Sequence, residues 1–155
     1  MKSIIYIQPD YQTWKNGFTF FQQVKVRFSE TDLFGHMNNV SPILYFEEAR
    51  IEFFKHIGMM EEWMKKDSET IPVAANIQCD YMKQVYFNEV IQIFVKAFEI
   101  GNSSVNLHYL GLNENQEPCF AGQGTIVQIS RRSGKAVNWL ESDKKRLFEK
   151  NSVKL

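Results

Sequence analysis

Long apolar runs and an excess of one charge are both missing from this chain. No stretch of the 155 residues approaches the ~20 consecutive apolar residues of a transmembrane helix. The N-terminal segment MKSIIYIQPDYQ turns polar before a signal-peptide core of the usual length forms. Because 18 lysines and arginines balance 18 aspartates and glutamates, no global field draws the protein to nucleic acid or to an anionic membrane. The sequence therefore predicts a cytoplasmic protein with neither nucleic acid nor membrane as a partner.

Cysteine is scarce, and the familiar motifs of metal and nucleophilic catalysis are absent. Cys79 and Cys119 are far apart and have no CxxC or Cys/His ligand spacing, which argues against a zinc site or a disulfide framework. The chain also lacks HExxH, a glycine-rich phosphate loop and a serine or cysteine nucleophile elbow. We therefore expect no metal and no redox cofactor.

Aromatic residues, in contrast, are plentiful, and nothing divides the chain. The sequence contains 13 Phe, 6 Tyr and 3 Trp, which favours a thick core or a pocket with apolar walls. There is no internal repeat, low-complexity segment or linker. A chain of this length fits a single domain, predicted over residues 1–155.

Alternating apolar and polar residues predict one strand before and four strands after a single long helix in the sequence. Residues 18–29 end in Val24, Val26 and Phe28 at a spacing of two, which is typical of a strand. Turn sequences separate four further runs rich in β-branched and aromatic residues, over 71–85, 89–100, 104–112 and 119–130. Because the connections between these runs are short, we expect antiparallel hairpins.

The long helix is predicted between Ser41 and Gly58. Ser41 suits the helix cap, Pro42 its first turn and Gly58 its end. Leu44 and Ile51 recur at helical spacing among other apolar residues, so the helix is expected to be buried on more than one side. Two shorter segments, a polar helix or loop and a surface helix, are predicted over 61–69 and 141–150.

Together these elements predict an α+β fold, with one helix against one antiparallel sheet of about five strands. A sheet wrapped around a single helix leaves strand edges open. Pairing with a second copy would cover such an edge, so we expect at least a dimer.

A polar cluster, FSETDLFGHMNN, stands directly before the helix. Thr, Asp, Gly and Asn all favour turns and helix caps, so each residue of the cluster has a purely structural interpretation. However, a loop needs no imidazole, and His36 lies four residues after Asp32. Backbone amides at a helix start can stabilise an oxygen that gains negative charge, and a nearby carboxylate can act as general base or nucleophile toward a carbonyl.

The segment VRFSETDLFGHMNNVSPILYFEEAR resembles the opening of the hotdog-fold acyl-CoA thioesterases of the 4-hydroxybenzoyl-CoA thioesterase-like group. Its TDxxGHxNN core also resembles plant and bacterial acyl-ACP thioesterases. DYMKQVYFNEVIQIFVKAFEIGNSSVNLHY is similar to the middle strands of the family, and AGQGTIVQISRRSGKAVNW to its last strand and tail. The resemblance implies a sheet wrapped around the long helix, and a homodimer or homotetramer whose protomers pair edge to edge with active sites at their interface.

Carried over by position, the resemblance assigns roles within the cluster. Asp32 matches the catalytic carboxylate, which activates water or attacks the thioester carbonyl directly. Asn39 lies where a backbone N–H polarises that carbonyl. His36 matches a catalytic histidine of the acyl-ACP enzymes that the 4-hydroxybenzoyl branch lacks, so both a positioning role and a structural loop role stay open. Phe34 replaces an asparagine of the acyl-ACP motif, which favours acyl-CoA.

A second carboxylate and the closing wall of the pocket are less well defined. Glu47 lies on the helix, where a carboxylate is the catalyst in another branch of the family, but it is also placed to pair with Arg50. Four aromatic residues are candidates to close the pocket: Phe46, Phe53, Trp63 and Tyr81.

The resemblance also implies that basic and hydroxyl side chains bind the coenzyme phosphates. Ser103 and Ser104 in GNSS and Arg131 and Arg132 in RRSGK are the candidates, because arginine's planar fork suits phosphate and a Gly/Ser turn offers N–H groups. The alternative for RRSGK is an ordinary basic hairpin tip.

The leading hypothesis is an acyl-CoA thioesterase that releases an acyl or aroyl acid and coenzyme A, the latter being part of the substrate. A hotdog hydratase or dehydratase, using His36 and a carboxylate on an enoyl or 3-hydroxyacyl thioester, is the first alternative. The second is a non-catalytic module that binds acyl thioesters.

Overall fold

Five strands form one antiparallel sheet in the order β1-β3-β4-β5-β2. The structure is a computed structural model that describes residues 3–149. The strands are β1 (Phe20–Lys25), β2 (Thr70–Tyr81), β3 (Val90–Ile100), β4 (Ser104–Leu112) and β5 (Pro118–Ser130). The helices are α1 (Tyr11–Asn16), α2 (Ser41–His56), α3 (Met60–Trp63) and α4 (Glu141–Glu149), with a 3-10 turn at Phe28–Glu30. The predicted α+β fold of one long helix against a five-stranded sheet is confirmed.

Helix α2 packs its aromatic residues onto one face of the sheet. Phe46, Phe53 and Phe54 are fully buried, and the Phe46 ring stacks on Tyr109 of β4 with centroids 4.4 Å apart. Burial of each such ring contributes about 2 to 3 kcal/mol, so this contact layer stabilises the packing of α2 on the sheet. Burial on more than one side is wrong, however. Leu44 is 55% exposed because a single sheet covers only one side of the helix.

The start of α2 differs from the predicted cap. Ser41 is the first helical residue and follows Val40, which makes no capping hydrogen bond with its side chain. The Ser41 hydroxyl instead donates to the carbonyl of Glu30 at 3.2 Å. Asn38 Oδ1 accepts the N–H of Val40 at 2.9 Å. Asn38, three residues before Ser41, thus supplies the capping side chain that was predicted at Ser41.

Two predicted segments are longer than the observed ones. Strand β2 ends at Tyr81 rather than at residue 85, because the N–H groups of Met82 and Lys83 both turn to the carbonyl of Cys119. The first strand covers 20–25, within the predicted 18–29, and its last predicted residues form the 3-10 turn. The surface helix is confirmed as α4, and residue 150 lies outside the described residues.

The opposite face of the sheet is covered by an N-terminal segment for which the sequence analysis predicted no element. Trp14 of α1 is 1% exposed and packs with Phe18 against Leu110 and Leu112 of β4. A signal for α1 was present, since Asp10 Oδ1 accepts the N–H of Thr13 at 2.9 Å as a helix cap. A helix of six residues is too short to show a periodic pattern.

Two ionisable residues are buried beneath α1. Lys96 Nζ donates to the carbonyl of Trp14 at 2.5 Å and lies 4.4 Å from the centroid of the Phe18 ring. His108 is 0% exposed and its Nδ1 accepts the indole N–H of Trp14 at 2.8 Å. Burial lowers the pKa of Lys96 to about 8, while burial and then the Lys96 charge lower the pKa of His108 to about 3. His108 is therefore neutral in the folded protein at pH 7.

Replacing Gly122 of β5 with alanine is expected to destabilise the protein by about 3 kcal/mol, because the added methyl group overpacks the sheet. Its Cβ would lie 2.5 Å from the carbonyl oxygen of Gln78 and closer still to the Phe46 ring. In a chain of this size the melting temperature should fall by about 6 to 12 °C. Gly58→Ala is the control, since Gly58 has φ +83 and open space around its Cβ position, so only backbone strain of ~1 kcal/mol is added. Equal melting temperatures for the two variants would contradict the packing argument.

Both edge strands, β1 and β2, lack a neighbour on one side within the described residues. The middle of β2 (residues 74–76) is exposed, and its register with β5 shifts there. Such an edge exposes backbone N–H and C=O groups that a further strand can pair with. None of the helices within residues 3–149 has the length and apolar character needed to span a membrane.

Candidate active site

The polar cluster folds into a tight turn whose two ends are hydrogen-bonded together. The Asp32 N–H donates to the carbonyl of His36 at 2.7 Å, and the Gly35 N–H donates to the carbonyl of Asp32 at 3.1 Å. Gly35 has φ +81, a left-handed conformation that glycine adopts without steric cost. The turn brings Asp32 and His36 to neighbouring positions just before α2.

Backbone groups of this turn orient the Asp32 carboxylate. Its Oδ1 accepts the N–H of Phe34 at 2.8 Å and the N–H of His36 at 3.1 Å. In the part of the chain that the structure describes, no donor is bound to Oδ2. One carboxylate oxygen thus fixes the side chain, while the other has no hydrogen-bond partner among the described residues.

Three of the residues predicted from the cluster line one cavity of about 370 Å³. Its walls are Asp32, His36, Met37, Asn39, residues 81–85 and Phe120. Of the four aromatic residues considered as its closing wall, Tyr81 lies in this cavity, whereas Phe46, Phe53 and Trp63 are buried in the core.

The backbone N–H of Asn39 has no acceptor among residues 3–149. The following N–H groups are occupied, since that of Val40 donates to Asn38 Oδ1 and that of Ser41 donates to the Asn38 carbonyl at 3.0 Å. The carbonyl of Asn39 accepts a hydrogen bond from the Tyr81 hydroxyl. The free N–H of Asn39 therefore belongs to a well-held turn at the positive end of α2.

His36 is half-buried, with its imidazole ring against Tyr86. The ring centroids are 5.2 Å apart at an interplanar angle of 79°, and the two backbones form an antiparallel bridge. Neither ring nitrogen of His36 is hydrogen-bonded within the described residues. The imidazole is thus held by packing and by its backbone.

Glu47 is not brought to this cavity. Its side chain is 62% exposed on α2, and its carboxylate lies 4.0 Å from Arg50 Nη2. It is not among the described residues that surround Asp32. The surface ion pair is the alternative that the sequence analysis left open for Glu47.

The predicted coenzyme contacts lie at the other end of the sheet. Arg131 and Arg132 are exposed in the turn after β5, where the N–H of Arg131 donates to the carbonyl of Glu69. Ser103 and Ser104 are in the adjacent β3–β4 hairpin. The twelve residues of β2 separate this end from Tyr81 by about 36 Å at ~3.3 Å per residue. Within one protomer, therefore, these residues do not meet Asp32.

Sequence reasoning missed the hydrogen bond between Tyr81 and Asn39. The two residues are 42 positions apart, and no local pattern links them. The strand signal at DYMKQV could have indicated only that Tyr81 lies in a strand.

Comparison with known proteins gives a consistent answer. Residues 26–147 match the model of the thioesterase-like superfamily. The chain is 51% identical over 148 residues to the uncharacterized protein YsmA of Bacillus subtilis, covering 96% of this chain and 98% of that protein. It is 28% identical to a putative esterase of Aquifex aeolicus, over 72% of this chain and 92% of the relative.

A solved structure of a Thermus thermophilus thioesterase, complexed with coenzyme A and zinc, matches with a TM-score of 0.70 and 28% identity. The match covers 84% of this chain and 93% of that one. The family match extends over most of the chain and includes the turn at Asp32, α2 and strands β2 to β5. This protein belongs to the thioesterase-like superfamily and has its hotdog fold.

Proposed function

We propose that this protein is an acyl-CoA thioesterase that hydrolyses an acyl or aroyl thioester to the free acid and coenzyme A. The observation that carries the proposal is that Asp32 and Asn39, whose backbone N–H is unpaired within residues 3–149, line one cavity at the start of α2. A carboxylate with one free oxygen, beside a fixed and unpaired N–H, is the arrangement that attack on a carbonyl requires.

In this mechanism Asp32 acts through Oδ2, either by taking a proton from water as that water attacks the thioester carbonyl or by attacking the carbonyl itself. The carbonyl oxygen gains negative charge and accepts a hydrogen bond from the Asn39 N–H at the positive helix end. The C–S bond then breaks, and the thiolate leaves and takes up a proton. On the general-base route the free acid is released directly. On the nucleophilic route the acyl group stays on Asp32 as a mixed anhydride, which water hydrolyses to release the acid and restore the carboxylate. His36 positions the substrate or a water molecule. Nothing in this sequence of steps requires a metal or redox cofactor.

A second copy of the chain would complete this site. If the exposed edges of two β2 strands pair antiparallel, the end of one strand at Tyr81 lies beside the start of the other at Thr70. The partner subunit's Arg131 and the partner subunit's Arg132 then approach the cavity of Asp32, although within one protomer they are about 36 Å away. A homodimer, or a tetramer built from such dimers, would therefore bring the predicted coenzyme residues to active sites at its interface.

Coenzyme A in the Thermus thermophilus relative supports coenzyme A as the leaving group here. The cytoplasm is the compartment we propose, since acyl-CoA is made and used there and both cysteines are free thiols.

Assaying thiol release from acetyl-, hexanoyl-, palmitoyl- and benzoyl-CoA tests the proposal. We expect at least one chain class to be hydrolysed with release of free coenzyme A. Crotonyl-CoA is added as a diagnostic substrate, because a hydratase removes the enone absorbance and leaves the thioester intact. Enone loss without thiol release would replace the thioesterase by a hydratase. A rise in melting temperature with acyl-CoA but without turnover would replace it by a binding module.

A further inference from the structure

Tyr81, the last residue of β2, joins this strand to the turn that precedes α2. Its hydroxyl donates to the carbonyl of Asn39, and its ring forms part of the wall of the Asp32 cavity. The side chain is about half exposed, so the core does not need it for packing. Its hydroxyl contacts the peptide next to the unpaired N–H.

Hydrogen bonds hold the peptides on both sides of Asn39. The Asn39–Val40 peptide is bound at its carbonyl by Tyr81 and at its N–H by Asn38 Oδ1. The Asn38–Asn39 peptide is bound at its carbonyl by the N–H of Ser41 at 3.0 Å. These three hydrogen bonds orient the two peptides, and the orientation of the Asn38–Asn39 peptide sets the direction of the Asn39 N–H. Without the Tyr81 hydroxyl, the Asn39–Val40 peptide keeps the hydrogen bond at its N–H but loses the one at its carbonyl, and so can rotate more freely.

The hydroxyl also changes the charge of the cavity. An unpaired carbonyl oxygen on Asn39 would carry partial negative charge close to the place where the proposed reaction develops an oxyanion. Tyr81 donates to that oxygen and so removes part of the repulsion. Burial and then the adjacent Cys79 raise the pKa of Tyr81 to about 12, so the hydroxyl stays a donor over the whole range of an ordinary assay.

We propose that Tyr81 is a positioning residue whose hydroxyl fixes the Asn39–Val40 peptide and so aligns the Asn39 N–H for the oxyanion. Tyr81 does not touch the reacting atoms in this proposal. The inference rests on the proposed thioesterase function for its catalytic consequence, whereas the clamp on the peptide is independent of any substrate.

Tyr81→Phe tests the proposal because it removes the hydroxyl and keeps the ring. We expect kcat to fall about tenfold with KM within twofold of wild type, since loss of a complete oxyanion donor costs ~10²- to 10³-fold and here the donor is only misaligned. The melting temperature should change by no more than about 2 °C, because the side chain is half exposed.

Tyr6→Phe is the matched control. The Tyr6 hydroxyl donates to Asp80 Oδ2 at 2.8 Å, so this variant also removes a tyrosine hydroxyl bound to the end of β2, but outside the cavity. Tyr6 is 5% exposed, and its loss should lower the melting temperature at least as much as Tyr81→Phe. Its kcat should equal that of the wild type.

Amide hydrogen exchange of residues 38–41 gives a readout that needs no activity. Exchange should accelerate several-fold in Tyr81→Phe and stay at the wild-type rate in Tyr6→Phe. Unchanged exchange in Tyr81→Phe, or equal kcat losses in the two variants, would overturn the positioning role. A wild type that hydrolyses no acyl-CoA would instead overturn the proposed function, and the exchange rates would then decide whether the clamp exists.

Discussion

Asp32→Asn is expected to lower kcat/KM for acyl-CoA hydrolysis by about 10²- to 10⁴-fold and leave the fold intact. The asparagine side-chain oxygen can still accept the N–H groups of Phe34 and His36, so the turn keeps its two side-chain hydrogen bonds. The variant loses the negative charge that removes a proton from water or attacks the carbonyl, and a positioned base contributes a factor of about this size. Thiol release at varied acyl-CoA concentration measures the loss, and circular dichroism verifies the fold.

Asp10→Asn is the matched control for this variant. Asp10 Oδ1 likewise accepts a backbone N–H, that of Thr13 at 2.9 Å, but it does so at the start of α1 and outside the cavity. Its activity should be that of the wild type. If folded Asp32→Asn keeps more than a tenth of wild-type activity, Asp32 is neither the base nor the nucleophile.

Acid is expected to destabilise the wild type more than His108→Gln. The folded-state pKa of His108 is depressed to about 3 from an ordinary value of 6.5, so its neutral form is favoured in the folded state and the unfolded chain takes up the proton first. The stability contributed by the neutral imidazole is fully present above pH 6.5 and is lost progressively as the pH falls toward 3. Between pH 6.5 and pH 4 the loss amounts to about 3 kcal/mol at ~1.4 kcal/mol per pH unit.

Urea unfolding of both proteins at pH 7 and pH 4 measures this difference. For each protein the change in the free energy of unfolding between the two pH values is compared. Any stability that the substitution itself removes at neutral pH therefore cancels. His56→Gln, at an exposed position of α2, is the comparison substitution that leaves the buried imidazole in place. If the free energy of unfolding falls equally with pH in the wild type and in His108→Gln, then His108 is not a buried imidazole that stays neutral in the folded state.

Sequence patterns predicted the features that depend on residues close together in the chain. The strands and α2 follow from alternation and helical spacing, because burial against one partner layer imposes those periods. Asp32, His36 and Asn39 lie within eight positions, so one turn brings them into one cavity. Tyr81 reaches this cavity through the register of β2, which spacing along the chain does not encode.

The distance of the candidate coenzyme residues from Asp32 has a similar origin. It depends on which end of the sheet holds the turn after β5, and therefore on the antiparallel pairing of β5 with β2. The burial of α2 on one side only, with Leu44 exposed, also depends on how many layers the fold has. Neither property can be read from one segment alone, because each arises from contacts among several elements.

The segment that covers the outer face of the sheet shows that the family match and the folding unit have different boundaries. The match begins at residue 26, after α1 and β1 have ended. A protein shortened to that boundary would have β3 as its new edge strand. The Lys96 and His108 side chains would also lose the hydrogen bonds and the cover that Trp14 provides. Residues 3–25 are thus part of what must fold for the domain matched by the family model to be stable.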